Sequence, residues 1–113
     1  MLRGITIATR IEDAAARLEA LGNPTRLAVY RLLVRAGEDG LAVGQLQKRL
    51  KLAGSTLSNH LRALITVDLV SQERQGTTLT CRANFQVMER LVSFLVDECC
   101  ADAASCGPAE KVA

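Results

Sequence analysis

Three cysteine thiols lie close together near the end of the chain, at Cys99, Cys100 and Cys106. Thiolates are soft ligands that select thiophilic metal ions, and a pair of thiols can also be oxidised to a disulfide. Neighbouring side chains on a helix point about 100° apart, so the adjacent sulfurs converge only if the helix frays near Cys100. The next five residues can then fold back and bring Cys106 to them. The spacing predicts a three-sulfur site, and incidental thiols on a disordered tail are the alternative.

The fourth cysteine, Cys81, lies on a predicted strand and is expected to be a small buried hydrophobe. A disulfide scaffold would spread its cysteines through the chain, which is not the case here. The N-terminus has no apolar run of secretory length, and no stretch is long and apolar enough to span a bilayer. We therefore expect a soluble cytoplasmic protein with reduced thiols and no membrane partner.

A second candidate site is a helix at Ser55–Leu64 with two unlike sides. At about 100° per residue, Leu57, Leu61 and Leu64 share one side and predict docking on a core. The opposite side carries short polar groups and one cation: Ser55, Ser58, Asn59 and Arg62. Such side chains can reach base edges and phosphates in a DNA major groove, whereas a solvated amphipathic helix is the alternative.

The overall charge does not indicate a nucleic-acid partner, because 14 Lys and Arg face 12 Asp and Glu, a net charge of +2. A DNA contact must therefore come from local charge. Lys48, Arg49 and Lys51 lie just before the polar helix, where phosphates would run if it entered a groove. Their favourable position at a helix C-terminus is the electrostatic alternative.

The length of 113 residues indicates one domain, and a composition that is 49% hydrophobic but only 3% aromatic fits packed helices. We place a folded domain at residues 1–100 and a tail that completes the thiolate site at 101–113. Apolar residues at helical spacing predict four further helices, at about 10–21, 24–36, 43–50 and 85–99. Gly22 is expected to close the first in a left-handed conformation, and Asn23 and Asn84 to cap the second and last.

Two segments rich in β-formers, 69–74 and 77–82, flank Gln75-Gly76 and predict a two-stranded hairpin. Leu41–Val43 could form a brief strand or a lead-in to the next helix. The apolar stripe of the last helix, at 85–96, is too wide for its own small core and predicts a dimer interface. The predicted fold is mainly α with a small β-hairpin (α+β): a winged helix-turn-helix.

Three motifs of this chain resemble those of the ArsR/SmtB metalloregulatory repressors, which are dimeric winged helix-turn-helix proteins. Leu21–Leu27 is similar to the family's Leu-x-x-Pro-x-Arg opening, Ser55–Leu64 to its recognition helix, and Asp68-Leu69-Val70 to the segment before its wing. The resemblance implies a homodimer formed through the first and last helices. It also implies double-stranded operator DNA as the partner.

The resemblance further implies which side chains meet DNA. Those facing the major groove would be Ser55, Thr56, Ser58, Asn59 and Arg62. Those of the wing that meet the backbone or minor groove would be Arg74, Gln75 and Thr77. The single histidine, His60, lies at the edge of the leucine side, so we expect it to form a hydrogen bond that fixes the helix, not to bind a metal.

The sensing sites of this family vary, and the known ones are absent here. Leu41–Leu46 lacks the two cysteines of the well-known arsenic sensors, and no histidine follows His60 to supply the zinc site of the last helix. Cadmium/lead members need cysteines in the N-terminal arm and third helix, which this chain also lacks. Some arsenic-responsive members carry a cysteine cluster at the end of the last helix, similar to Cys99, Cys100 and Cys106.

Three sulfurs without a fourth donor suit As(III), whose lone pair occupies the remaining position, whereas Zn(II) would need a fourth ligand. We therefore expect a repressor that binds As(III), or Sb(III), as inducer and then releases its operator. A thiol redox-sensing or Zn/Cd-sensing repressor of the same fold is the alternative. A thiol enzyme would need an anion cradle before its nucleophile, and only apolar helix precedes Cys99, so we expect no enzyme.

Overall fold

The computed structural model describes residues 10–104, which contain five α-helices and three β-strands. The helices are α1 (Ile11–Leu21), α2 (Pro24–Ala36), α3 (Val43–Leu50), α4 (Gly54–Thr66) and α5 (Phe85–Val96). The strands are β1 (Leu41–Ala42), β2 (Val70–Gln75) and β3 (Thr78–Ala83), and a 3₁₀ turn at Gly37–Asp39 precedes β1. The order confirms the predicted winged helix-turn-helix, with α3 and α4 as the helix-turn-helix and β2–β3 as the wing. None of the described helices has the length and apolar character that crossing a bilayer requires.

The core is built from aliphatic side chains of the helices around α4. Leu57, Leu61 and Leu64 of α4 are at most 2% exposed and pack with Leu33 of α2 and Leu46 of α3. Burial of each such side chain contributes about 1.5–3 kcal/mol, so the leucine side of α4 fixes which side faces outward. The predicted inward orientation of this side is confirmed.

Side-chain caps define where two helices begin. Asn23 Oδ1 accepts from the Arg26 amide at 3.0 Å, and Asn84 Oδ1 accepts from the Val87 amide at 3.3 Å, as predicted. The prediction of a left-handed Gly22 is wrong, because its φ is −78° and its N–H donates to the Glu19 carbonyl at 3.1 Å. Asn23 follows at once with the extended backbone of an N-cap, so this tight turn closes without a positive φ.

The sheet has three antiparallel strands in the order β1-β3-β2, one more than the predicted hairpin. Leu41 pairs with Cys81, so the brief strand at 41–42 joins the root of the wing to the start of α3. Gly76 has a φ of +65° in the turn between Gln75 and Thr78, which confirms the predicted glycine turn. The wing strands begin one residue later than predicted.

The last helix ends at Val96 and not near Cys99, which corrects the predicted boundary. Its last turn has no basic residue, and Asp97 and Glu98 follow directly. Negative charge at a helix C-terminus opposes the helix dipole, so these residues favour termination. Residues 97–102 form turns, and Cys100 has a φ of +60°. The division at 100/101 stays a prediction, since residues 105–113 lie outside the described range.

Gly40 and Gly37 provide a matched test of how β1 is attached. Both have a φ near +70° with an extended ψ, which other residues adopt only at a cost of about 1–3 kcal/mol. A Cβ at Gly40 would also collide with the Cys81 carbonyl of β3, whereas a Cβ at Gly37 would meet nothing within 4 Å. We expect Gly40→Ala to lower the free energy of unfolding in urea by about 1–3 kcal/mol more than Gly37→Ala. Equal losses would contradict this packing.

Candidate nucleic-acid interface and thiol pair

The outer side of α4 presents the predicted polar face to solvent. Ser55, Thr56, Ser58, Asn59 and Arg62 are all exposed, while the three leucines of the same helix are buried. The face is therefore free of bulky apolar side chains and carries one cation. It has the size and chemistry to meet base edges and phosphates in a major groove.

Arg26 of α2 holds the middle of α4 and the end of α1 at once. Its Nε donates to His60 Nδ1 at 3.4 Å, and its Nη1 donates to the Ala20 carbonyl at 3.1 Å. The predicted role of His60 in fixing the helix is confirmed by this hydrogen bond.

Arg17 of α1 holds the C-terminal end of α4. Its Nε donates to the Val67 carbonyl at 2.9 Å, and both residues are half-buried. The last carbonyls of a helix lack intrahelical partners, and a cation there also complements the helix dipole. Both arginines thus connect α4 to α1. No motif in the sequence predicts the contact of Arg17, whereas Arg26 lies within the Leu21–Leu27 motif.

Charge is distributed unevenly along the chain. From Ala20 to Gly37 and from Gly40 to Val67 there is no acidic residue. These two segments contain seven cations: Arg26, Arg31, Arg35, Lys48, Arg49, Lys51 and Arg62. Lys51, in a left-handed conformation with a φ of 55°, ends α3 just before α4 and is exposed. The helix-turn-helix is therefore locally basic although the whole chain is nearly neutral.

Side-chain hydrogen bonds hold the root of the wing, whereas its tip is exposed. Arg82 donates from Nη1 to Glu73 Oε1 at 2.7 Å and from Nε to the Glu38 carbonyl at 2.8 Å. Gln75 Oε1 accepts from Thr80 Oγ1 at 3.3 Å, so this side chain is partly engaged within the wing. Arg74 and Thr77 are exposed and line one cleft beside the start of α3.

The two adjacent cysteines converge once the helix has ended. The Sγ atoms of Cys99 and Cys100 are 3.6 Å apart, and Cys99 is exposed. Cys100 takes part in a disulfide. The third predicted ligand, Cys106, lies outside the described residues. Within residues 10–104 no group of three His, Cys, Asp or Glu side chains is placed to hold a metal ion.

Cys81 is fully buried beneath the wing, as predicted, and takes part in no disulfide. Burial raises the pKa of its thiol, and a hydrogen bond from Gln72 Nε2 at 3.5 Å acts in the opposite direction. The neutral thiol is a poor nucleophile and ligand, so Cys81 belongs to the core and not to a reactive site.

Comparisons with known proteins identify the family. A family model described as a helix-turn-helix domain matches residues 21–73. The nodulation protein NolR of Rhizobium meliloti is 34% identical over 86 residues, which are 76% of this chain and 68% of that relative. The crystal structure of an ArsR family transcriptional regulator has a TM-score of 0.68 at 25% identity and covers 80% of this chain and 91% of the other. The chain belongs to the ArsR family of transcriptional regulators.

Another similar crystal structure is that of a possible transcriptional regulator for arsenical resistance. It is 28% identical to this chain, with a TM-score of 0.62, and covers 79% of this chain and 97% of the other. This ArsR-family chain is a DNA-binding transcriptional regulator and not an enzyme, since the family model and the relatives are those of regulators.

One further surface of this ArsR-family regulator is apolar and exposed. It lies on α1 and α5, where large aliphatic side chains are between 42 and 67% exposed: Ile11, Leu18, Val92, Leu95 and Val96. Scattered apolar side chains are common on surfaces, but a set shared by two helices indicates an interaction surface. We call this set the α1/α5 face.

Proposed function

We propose that this ArsR-family regulator is a homodimeric repressor that inserts α4 into the major groove of its operator. Ser58, Asn59 and Arg62 would read bases or bind phosphates from the middle of the helix, with Ser55 and Thr56 at its N-terminal end. Lys51 would bind the backbone just before the helix. Arg74, Gln75 and Thr77 would meet the backbone or minor groove from the wing. The exposed polar face of α4 is the observation that carries this part of the proposal.

The homodimer is supported by the α1/α5 face. Its five large aliphatic side chains belong to the first and last helices, the pair that the sequence predicts to form the dimer interface. A second copy would cover this face and place two recognition helices on one duplex. Two half-sites can then be bound at once, which a monomer cannot do.

The inducer we propose is As(III), or the chemically similar Sb(III), bound by Cys99, Cys100 and Cys106 once the disulfide of Cys100 is reduced. The distance of 3.6 Å between the first two sulfurs supports this, because thiolate–metal bonds of about 2.3 Å allow two sulfurs on one ion to lie up to about 4.6 Å apart. Sulfur-only ligands select soft ions. One similar structure is described as a possible transcriptional regulator for arsenical resistance.

Inducer binding would reach DNA through the dimer. Cys99 and Cys100 lie three and four residues after the end of α5, and α5 contributes Val92, Leu95 and Val96 to the α1/α5 face. One ion bound by all three cysteines would constrain the chain after α5 and alter the packing of that face, and therefore the relation of the two α4 helices. The inducer lowers DNA affinity only if it binds the poorly binding arrangement more tightly.

A thiol redox switch is the second candidate, and the disulfide of Cys100 favours it. Oxidation would then take the place of As(III) in constraining the chain after α5. Release of DNA by peroxide or diamide, reversed by dithiothreitol and without a response to arsenite, would identify this mechanism.

The DNA-binding surface is tested with Asn59→Ala and Arg62→Ala. We expect each to weaken binding to a duplex selected from a random library by the wild-type chain, by about 1–3 kcal/mol for a base-contacting side chain. Arg90→Ala, on the exposed side of α5, removes a charge elsewhere and should have little effect. Fluorescence anisotropy gives the affinities, and circular dichroism verifies the fold. Unchanged affinity in both α4 variants would contradict the assignment.

The inducer site is tested by replacing each cysteine in turn with serine under reducing conditions. We expect arsenite to release the duplex from the wild-type chain and from Cys81→Ala, because Cys81 is a buried core residue. Cys99→Ser, Cys100→Ser and Cys106→Ser should each need a concentration at least about tenfold higher, since each removes one of three sulfur ligands. Release at the wild-type concentration in any of the three would contradict the site. Zinc and cadmium titrations serve as comparison.

A further inference from the structure

A cleft between α2 and α3 gathers three arginines that the proposed DNA contacts do not include. Arg31 and Arg35 come from α2 and Arg49 from α3, and all three are exposed. The apolar part of the lining is small: Ala28, Leu32 and Leu50. We call this the arginine cleft. It encloses about 270 Å³.

The interactions within the chain do not account for this grouping. Arg31 and Arg35 are four residues apart and share one side of α2, where like charges repel each other. In the part of the chain from 10 to 104, none of the three arginine side chains has an ion pair or a hydrogen bond to another residue. The nearest acidic residues in sequence, Glu38 and Asp39, belong to the 3₁₀ turn that precedes β1. An anion from outside the chain would relieve this repulsion.

Phosphate is the anion that the side chains fit best. The planar guanidinium group donates two parallel hydrogen bonds to phosphate oxygens, and three such groups in one cleft favour a polyanion. The position in the fold indicates the source of the phosphates. Arg49 lies two residues before Lys51 and five before Gly54, where α4 begins, so the arginine cleft continues the basic surface of the helix-turn-helix.

We infer that the arginine cleft binds backbone phosphates of the duplex, next to the groove that α4 enters. Arg31 and Arg35 lie about 6 Å apart along α2 at 1.5 Å per residue. Phosphates of one strand advance by about 3.4 Å each along the duplex axis, so the two arginines would reach different phosphates. These contacts carry no base specificity and increase the affinity and its salt dependence. The inference rests on the proposed function only in taking DNA as the partner.

The test compares Arg31→Gln/Arg35→Gln with the wild-type chain on the selected duplex at 50 and 200 mM salt. Two lost phosphate contacts should reduce the slope of log K against log salt by about 1.8. The ratio of wild-type to variant affinity should therefore be about tenfold larger at 50 mM than at 200 mM. Arg31→Lys/Arg35→Lys keeps both charges and should keep the wild-type slope.

Arg90→Gln is the matched control, because Arg90 lies on the side of α5 opposite Val92 and Leu95 and far in sequence from the helix-turn-helix. A slope change in Arg90→Gln as large as half that of the double variant would reduce the effect to overall charge and overturn the inference. So would an unchanged slope in the double variant. If inorganic pyrophosphate raises the melting temperature of the wild-type chain only, with DNA binding unchanged in the double variant, the cleft takes a small anion and the DNA assignment is wrong.

The two proposals fail in different ways. A wild-type chain that selects no duplex contradicts the proposed function, and with it the DNA assignment of the cleft. A wild-type chain that selects a duplex, which Asn59→Ala weakens and Arg31→Gln/Arg35→Gln leaves unchanged in affinity and slope, contradicts the cleft alone.

Discussion

The position of α4 depends on two arginines that bind it to neighbouring helices. Arg17 reaches from α1 to the carbonyl at the end of α4, and Arg26 reaches from α2 to His60 near its middle while also holding the end of α1. The leucine side of α4 decides which face points outward, but a buried apolar stripe alone leaves rotation and sliding weakly defined. The hydrogen bonds of Arg17 and Arg26 are directional, so they define the rotation of α4 and its position along its axis.

These contacts make α1 part of two surfaces at once. Its exposed aliphatic side chains contribute to the α1/α5 face, and Arg17 from the same helix supports α4. A change in how two copies pack through this face therefore has a short path to the DNA-reading helix. The path consists of α1 and two hydrogen bonds in its C-terminal half, from Arg17 to the Val67 carbonyl and from Arg26 to the Ala20 carbonyl.

Positive and negative charges are concentrated in different parts of the chain. The helix-turn-helix carries cations without acidic neighbours in sequence, whereas Asp97, Glu98 and Asp102 surround the thiol pair. In the proposed complex, the duplex would repel the acidic residues near Cys99 and Cys100, and it would attract the arginine cleft and Lys51. The overall charge of +2 hides this arrangement, because acidic residues elsewhere in the chain offset the seven cations of the basic segments.

Local signals in the sequence account for most of the fold. The pair Asn23-Pro24 defines the start of α2, and the spacing of Leu57, Leu61 and Leu64 defines both faces of α4. For β1 the sequence leaves a brief strand and a lead-in to α3 equally open, because a strand of two residues has no pattern and depends on pairing with β3, some 40 residues away. The predicted end of α5 lies three residues too late because Asp97 to Cys99 contain no helix breaker, and only the charge of Asp97 and Glu98 indicates termination.

The sequence likewise predicts some parts of the candidate site and not others. The polar face of α4 follows from helical periodicity, and the burial of Cys81 follows from its place on a strand. The contact between Arg17 and Val67 joins residues that are 50 positions apart, so no local rule predicts it. The arginine cleft likewise needs α2 and α3 packed side by side before its three cations become one surface.

The most direct measurement of the central claim is the DNA affinity of Arg17→Met. Methionine keeps the length and apolar stem of the side chain but cannot donate to the Val67 carbonyl, so α4 should lose its fixed end while the core stays packed. The account predicts a roughly tenfold loss of affinity for the selected duplex, equivalent to about 1.4 kcal/mol, with Arg90→Met unchanged. An Arg17→Met chain that is folded and binds the duplex as tightly as the wild type would contradict it.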